Sequence, residues 1–194
     1  YKAPTTPTDP IAGVLDTIAL AGADYGLSSS ELLGKGEMLI HGTTHAINAI
    51  ITGNTAKTAF LATKGHPDIL VLREGGRIEP FNFSVPYPQP YIPRSLTYEV
   101  PERMSYDGQV RDALDEDALL QIISQLKVEQ VEAVAVCLLW SIVNSAHEIR
   151  VGELLEQHLP DVPYTLSHSL NPSLREYRRA SSAAPRPAPS LSRR

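Results

Sequence analysis

Lys57-Thr-Ala-Phe-Leu-Ala-Thr63 is followed at once by Lys64-Gly65-His66-Pro67 and a helical stretch from Asp68 to about Arg73, and this segment carries the pattern of the fold. Its apolar run reads as a strand, and the glycine and proline behind it mark a turn. The residues before it repeat the pattern. Glu37-Met-Leu-Ile40 reads as a short strand, His41-Gly42-Thr43-Thr44 as a turn, and His45 to Ile51 as a helix stopped by Gly53-Asn54. Strand, turn, helix, twice in succession, predicts an α/β fold: a mixed sheet with covering helices.

Working outward, Asp9-Pro10 opens a helix, because Asp caps a first turn that tolerates proline. Ile11, Val14, Leu15 and Ile18 carry it to about Ala21, with Gly22 and Gly26 as breaks. Ser28-Ser29-Ser30-Glu31 begins a second helical turn that ends at Gly34-Lys35-Gly36. Downstream, six prolines between Pro80 and Pro101 make a long ordered loop of the kind that is usually functional or interface-forming. Leu96–Val100 reads as a strand and Tyr106-Asp107-Gly108-Gln109 as a hairpin turn. Leu114 to Lys127 is helical, Ala133 to Leu139 a buried strand, and Asn144-Ser145 the start of a helix to His158. Tyr164–Ser167 reads as a strand and Asn171–Arg179 as a polar helix.

The chain has 194 residues, with 22 acidic and 17 basic side chains and a net charge of −5. Five of the basic residues, all arginines, lie beyond Tyr177, where there is no acid; the remainder carries 12 basic against 22 acidic, a net of −10. So acidic a body lacks the clustered cations that nucleic-acid binding requires. The single cysteine, Cys137, excludes an intrachain disulfide framework and a multi-cysteine zinc site. No apolar run approaches the roughly 18 residues of a membrane span, and no charged-then-apolar leader opens the sequence. These features lead us to expect a cytoplasmic protein with neither a nucleic-acid nor a membrane partner. Residues 1–36 read as an extended lead-in and helical segment, 37–179 as the α/β domain, and 180–194, rich in Pro, Ala, Ser and Arg, as a disordered or out-of-frame tail.

The sharpest chemical feature is Ile40-His41-Gly42-Thr43-Thr44-His45 with Asn48 behind it. A strand end, a glycine that admits close approach and a threonine-capped helix start together make an anion-binding geometry. Thr43 and Thr44 can add hydroxyl bonds to a phosphate, and His41 can shuttle a proton. A plain capped turn is the other reading. His41 and His45 lack the glutamate of a zinc-peptidase helix, so no metal ligand is assigned. Lys64-Gly65 with Asp68 repeats the logic, as an anion contact and either a helix cap or an orienting acid. Arg73 and Arg77 around two glycines can clamp a carboxylate or phosphate, or form a salt-bridged surface loop. Cys137 and Trp140 read as packing. Glu102-Arg103 and Arg175 to Arg179 read as ion-paired surface clusters.

Taken together, Lys2 to Pro10, His41-Gly-Thr-Thr44 with Asn48-Ala49, Thr63-Lys-Gly65 with Asp68, Val100-Pro-Glu-Arg103, Leu114-Asp-Glu116, Val131 to Leu139, Asn144-Ser-Ala-His-Glu148 and Leu174-Arg-Glu-Tyr177 resemble the hydantoinase/oxoprolinase family over about residues 2 to 179. The match is to the amino-terminal domain of the subunit that handles ATP. Arg73-Glu-Gly-Gly-Arg77 with Pro80-Phe81-Asn82 is similar to a subgroup that includes acetone- and acetophenone-carboxylase-type subunits.

The resemblance implies part of an actin-like (ribonuclease H-like) ATPase domain. It also implies ATP and Mg²⁺ as cofactors, a cyclic amide or ketone as substrate, a hydantoinase B-type partner subunit, and an oligomer when complete. The expected reaction is phosphorylation of an amide oxygen before hydrolysis, with a ketone carboxylase subunit or a non-catalytic assembly module as alternatives. In that light His41, Thr43, Thr44 and Asp68 are the expected catalytic residues. Gly42, Asn48, Lys64, Gly65, Arg73 and Arg77 are expected to bind nucleotide or substrate. The family's Asp-x-Gly-Gly-Thr phosphate loop is absent from these residues, and the pattern after Arg179-Ala180-Ser181 departs from the family's. The expectation is therefore a fragment, inactive alone.

Overall fold

Thr58-Ala-Phe-Leu-Ala-Thr63 is buried at every position, as a strand can be only with neighbours along both edges and layers on both faces. The computed structural model, which describes residues 1–4, 6, 9–38, 40, 50–53, 55–75, 79 and 81–184, supplies both. The strands are β1 (Thr58–Thr63), β2 (Thr97–Val100), β3 (Arg103–Met104), β4 (Val110–Asp112), β5 (Ala133–Cys137) and β6 (Tyr164–Leu166). The helices are α1 (Pro10–Asp24), α2 (Ser29–Lys35), α3 (Ile69–Leu72), α4 (Glu116–Val128), α5 (Ala146–His158), α6 (Ser167–Leu170) and α7 (Glu176–Ala183).

β2, β1, β5 and β6 pair in that order, all parallel, while β3 and β4 form a separate antiparallel hairpin. Parallel and antiparallel pairing are thus both present, with helices over the sheet, in the α/β architecture the sequence predicts. Because side chains alternate along a strand, β1 sends Ala59 and Leu61 to one face and Phe60 and Ala62 to the other. The first face packs with Val134, Val136 and Val100 against Leu119, Ile123 and Leu126 of α4 and Val151 and Leu155 of α5. The second packs with Ala135 and Cys137 against Leu70 of α3, Ile92, and Ala180, Ala183 and Ala184 at the end of α7. Gly152 lets α5 come down on β6, since a Cβ there would lie 3.0 Å from the Tyr164 ring and 3.3 Å from Leu166.

Three expectations need correction or extension. Gly22 does not end the first helix. It lies inside α1, and its missing side chain admits Leu27, whose carbonyl oxygen would stand 2.7 Å from a Cβ. Glu37, Met38 and Ile40 are not in a strand: four apolar-rich residues make a strand only where a neighbour takes up their backbone groups, and Met38 and Ile40 are exposed. At the other end, α7 continues past residue 179, because Ala180, Ala183 and Ala184 are small enough to sit directly on the sheet. Residues 185–194 lie outside the described residues.

The chain separates into two compact units, Tyr1–Thr43 and Thr44–Arg194. In the first, Asp9 Oδ1 accepts from the amides of Ile11 and Ala12 at 3.1 and 3.4 Å. Ser28 and Glu31 there form a reciprocal capping box at the start of α2.

The two-faced core gives a direct test. Phe60→Ala empties a wholly buried site and should cost about 3–5 kcal/mol. Phe81→Ala, at a side chain 92% exposed, should stay within about 0.5 kcal/mol of the parent. Urea unfolding of both variants reads the contrast, and equal costs would contradict the assigned layers.

Candidate functional site

In an open parallel sheet every strand presents its carboxyl end at the same edge, where the connecting loops diverge and ligands bind. Here that edge is built from buried polar side chains. Thr63, the last residue of β1, accepts from the Leu139 amide at 2.9 Å and donates its own hydroxyl proton to Glu102 Oε1. Glu102 Oε2 meets His147 Nδ1 at 2.7 Å. A carboxylate offers acceptors only, so Nδ1 carries the proton and Nε2 is the nitrogen left to accept or exchange one.

Glu148, the next residue on α5, is wholly buried and makes a second such pair. Its Oε1 accepts from the Leu138 amide at 2.8 Å and from Ser167 Oγ at 2.7 Å. Its Oε2 accepts from the His168 amide at 3.1 Å and from His168 Nδ1 at 2.6 Å. Arg179, only 2% exposed, closes the network from α7 by donating to Leu138 O, Ser167 Oγ, Ser173 O and Leu174 O. The two imidazoles are therefore oriented by carboxylates that are themselves fixed from behind, the arrangement that suits a proton carrier.

On the β1–β2 side, Arg103 Nη1 lies 2.9 Å from His66 Nε2. Burial, and then the Arg103 charge, hold the His66 pKa below its ordinary value; the neutral ring accepts and Arg103 donates. Against the hairpin lies a cleft of about 490 Å³, lined among others by Lys64, Glu102, Arg103, Arg111, Asp112 and Asp115.

Of the residues singled out in the sequence, His41, Gly42, Thr43, Thr44, Asn48 and Arg77 lie outside the described residues. Lys64 and Gly65 do sit at the carboxyl edge. The Lys64 amide extends the ladder to Val100 O at 2.9 Å, and Gly65, at φ 88°, donates its amide to Glu99. Asp68 makes no side-chain cap to α3; it receives Arg94 Nε at 3.1 Å in a half-exposed ion pair. Arg73 stands in left-handed backbone at φ 58°, with a buried Nε that has no hydrogen-bond partner among the described residues.

Sequence reading placed Glu102 and Arg179 on the surface, and both are buried, because residues distant in sequence supply their partners. A signal for His147 and Glu148 was present. They lie one helical turn before Val151 and Gly152 and two before Leu154 and Leu155, on the same buried stripe of α5.

Glu176, at the start of α7, has a buried Oε1 with no hydrogen-bond partner among the described residues. Its carboxyl is pushed up to about 7 by burial, against the lowering influence of Arg179 and Arg103 and with a further upward push from Glu102. The folded state thus holds this proton more tightly than the unfolded chain between an ordinary carboxyl pKa and about 7. Stability from this group is complete at the acid end of that window and is lost as pH rises through it. Glu176→Gln removes the ionisation. It should raise stability over the parent by up to roughly 3 kcal/mol at about pH 8, with a difference that shrinks toward pH 5. Denaturant midpoints across that range measure it, and a pH-independent difference would contradict the assignment.

The hydantoinase/oxoprolinase N-terminal region family matches residues 1–159. The caprolactamase subunit alpha of Pseudomonas jessenii is 33% identical over 183 residues, covering 93% of this chain and 26% of that one. The acetophenone carboxylase gamma subunit of Aromatoleum aromaticum is 34% identical over 195 residues, covering 94% and 27%. Among solved structures, the ATP-dependent caprolactamase from Pseudomonas jessenii superposes with a TM-score of 0.82 at 32% identity, covering 95% of this chain and 27% of that one. A nucleotide-free acetone carboxylase, at 22% identity and TM-score 0.80 over 93% and 27% of the two chains, shares the fold. The parallel sheet with flanking helices is consistent with an actin-like ATPase-type domain, and the chain spans about a quarter of the length of these relatives. With a family match over four-fifths of its length and the same fold in an enzyme one-third identical, this chain belongs to the hydantoinase/oxoprolinase family, in its N-terminal region.

Proposed function

We propose that this chain is part of the ATP-handling subunit of an amide-opening enzyme that phosphorylates the oxygen of a cyclic amide before hydrolysis. The observation that carries the reading is the 33% identity with a caprolactamase subunit over 93% of the chain. The carboxyl edge supplies groups that fit the chemistry. Amide resonance makes a lactam carbonyl a poor electrophile. When bound, ATP would supply the phosphoryl group that turns the amide oxygen into a leaving group, the β–γ phosphoanhydride bond breaking as the new P–O bond forms. Water then adds to the carbon, the ring C–N bond breaks as the nitrogen takes up a proton, and a second water releases phosphate from the resulting acyl phosphate.

In such a reaction the protein positions the reactants and neutralises charge. We assign those tasks to Lys64, Gly65, Arg73 and Arg77 with Gly42 and Asn48, and proton handling and orientation to His41, Thr43, Thr44 and Asp68. Uncompensated cations at the sheet edge fit a phosphate-bearing ligand. Mg²⁺ needs only one or two carboxylates beside the phosphates, and groups able to hold it as an all-protein cage are absent among the described residues. The relatives are named as subunits, which supports a partner subunit; we propose a hydantoinase B-type one and a cytoplasmic setting. Among the described residues, no helix is long and apolar enough to cross a membrane.

The 34% identity with an acetophenone carboxylase subunit supports a second reading, in which an enolate oxygen is phosphorylated and the ketone carboxylated. The two separate in one assay on the full-length subunit assembled with its partner. The first reading expects ADP release driven by a lactam or hydantoin, the second by a ketone with bicarbonate. Release driven by neither would remove both readings. Lys64→Ala should lower kcat/KM by about a hundredfold if Lys64 meets the transferring phosphoryl group. The 194-residue chain alone, a quarter of its relatives' length, should turn over no ATP.

A further inference from the structure

The cleft beside the hairpin holds cations that have no ion-pair partner among the described residues. Lys64, Arg103 and Arg111 all line it. Four other arginines of the second unit have acids: Arg94 has Asp68 and Glu99, Arg150 has Glu116 and Glu153, and Arg175 and Arg178 share Glu74; the buried Arg179 donates to carbonyls and a hydroxyl instead. No carboxylate lies within ion-pair distance of Arg103, Arg111 or Lys64 among the described residues. Arg103 is spent on a neutral imidazole, although Asp112 is its cross-strand partner in the hairpin.

The acids of the cleft are largely committed elsewhere. Glu102 is held by Thr63 and His147, and Asp115 caps α4 by accepting from the Ala118 amide at 2.9 Å. Asp112 is the one lining acid with no side-chain hydrogen bond of its own among the described residues, so the three cations face one acid that is free to turn toward them and two that are held. The cleft also opens at the carboxyl edge of β1 and β2, where parallel sheets bind ligands.

We infer that the cleft between Lys64, Arg103 and Arg111 is an oxyanion site, taking the phosphate or carboxylate group of a small ligand. Arg103 is the fixed member, held by His66 and placed by β3. Lys64, on the turn after β1, and Arg111, on β4, are the exposed members that close on the anion from either side. Arg111 and Arg103 lie outside the set assigned above for phosphoryl transfer, so the cleft extends that set across the hairpin. Its occupancy does not require turnover.

The test is titration of the purified chain with inorganic phosphate, and separately with acetate, at low ionic strength, because exposed charges are screened over a Debye length. The arginine Nε–H resonances are the readout. Phosphate should saturate with a Kd on the order of 1 mM and move the Arg103 and Arg111 signals together. Lys64→Gln and Arg111→Gln, both at exposed positions, should each weaken it about threefold or more. Lys127→Gln, at an exposed lysine on α4, should leave it unchanged. Phosphate binding tighter than acetate assigns a phosphate-bearing ligand, and the reverse order a carboxylate. Shifts that never saturate, or equal weakening by Lys127→Gln, would overturn the site. Phosphate saturation together with no amide- or ketone-driven ADP release would keep the cleft and remove the proposed reaction.

Discussion

The carboxylate of Glu148 is wholly enclosed, and an ionised carboxylate in such a place is tolerable only when its lone pairs are taken up. Four donors do so: the amides of Leu138 and His168, the Ser167 hydroxyl and the His168 ring. Those donors come from the end of β5 and from α6, while the acid comes from α5. The single charge therefore ties together three separate pieces of chain, and Arg179 adds α7 by bonding Leu138 O and Ser167 Oγ. Loss of any partner leaves a buried charge uncompensated, which is far more costly than the loss of a surface ion pair.

From that constraint follows the shape of the sheet edge. With β5 and α5 locked, His147 is delivered to Glu102 and Thr63 at the ends of β2 and β1. Two carboxylate–histidine pairs thus stand on adjacent residues of one helix turn, each joined to a different strand end. α7 is drawn down so that its alanines complete the second face of the core. The same placement leaves Glu176 in a poorly solvated position near Arg103, where its proton is retained well above the usual carboxylate range. Stability and chemistry draw on one set of buried polar groups.

The elements themselves were largely legible. The all-buried β1 and β5, the amphipathic α4 and α5 and the hairpin turn at Gly108 all carry local patterns, and local patterns follow from backbone geometry. Asp68 shows the limit: a residue at a helix start is an evident cap in sequence, yet Arg94, 26 residues away, captures its carboxylate instead. Glu102 and Arg179 show it more strongly. Charged residues are usually solvated, yet both are buried, with partners 39 to 45 residues distant in sequence.

Periodicities, most turns and the family motifs are written in the sequence alone, because these depend on residues within a few positions of one another; Gly22, inside α1, is the exception. Folding in three dimensions sets which acids and cations lose their water, which of them find partners, and which, like Lys64, Arg103 and Arg111, stand without an ion pair among the described residues. Desolvation and pairing are set by atoms brought together from separate strands and helices, and no spacing along the chain encodes those distances.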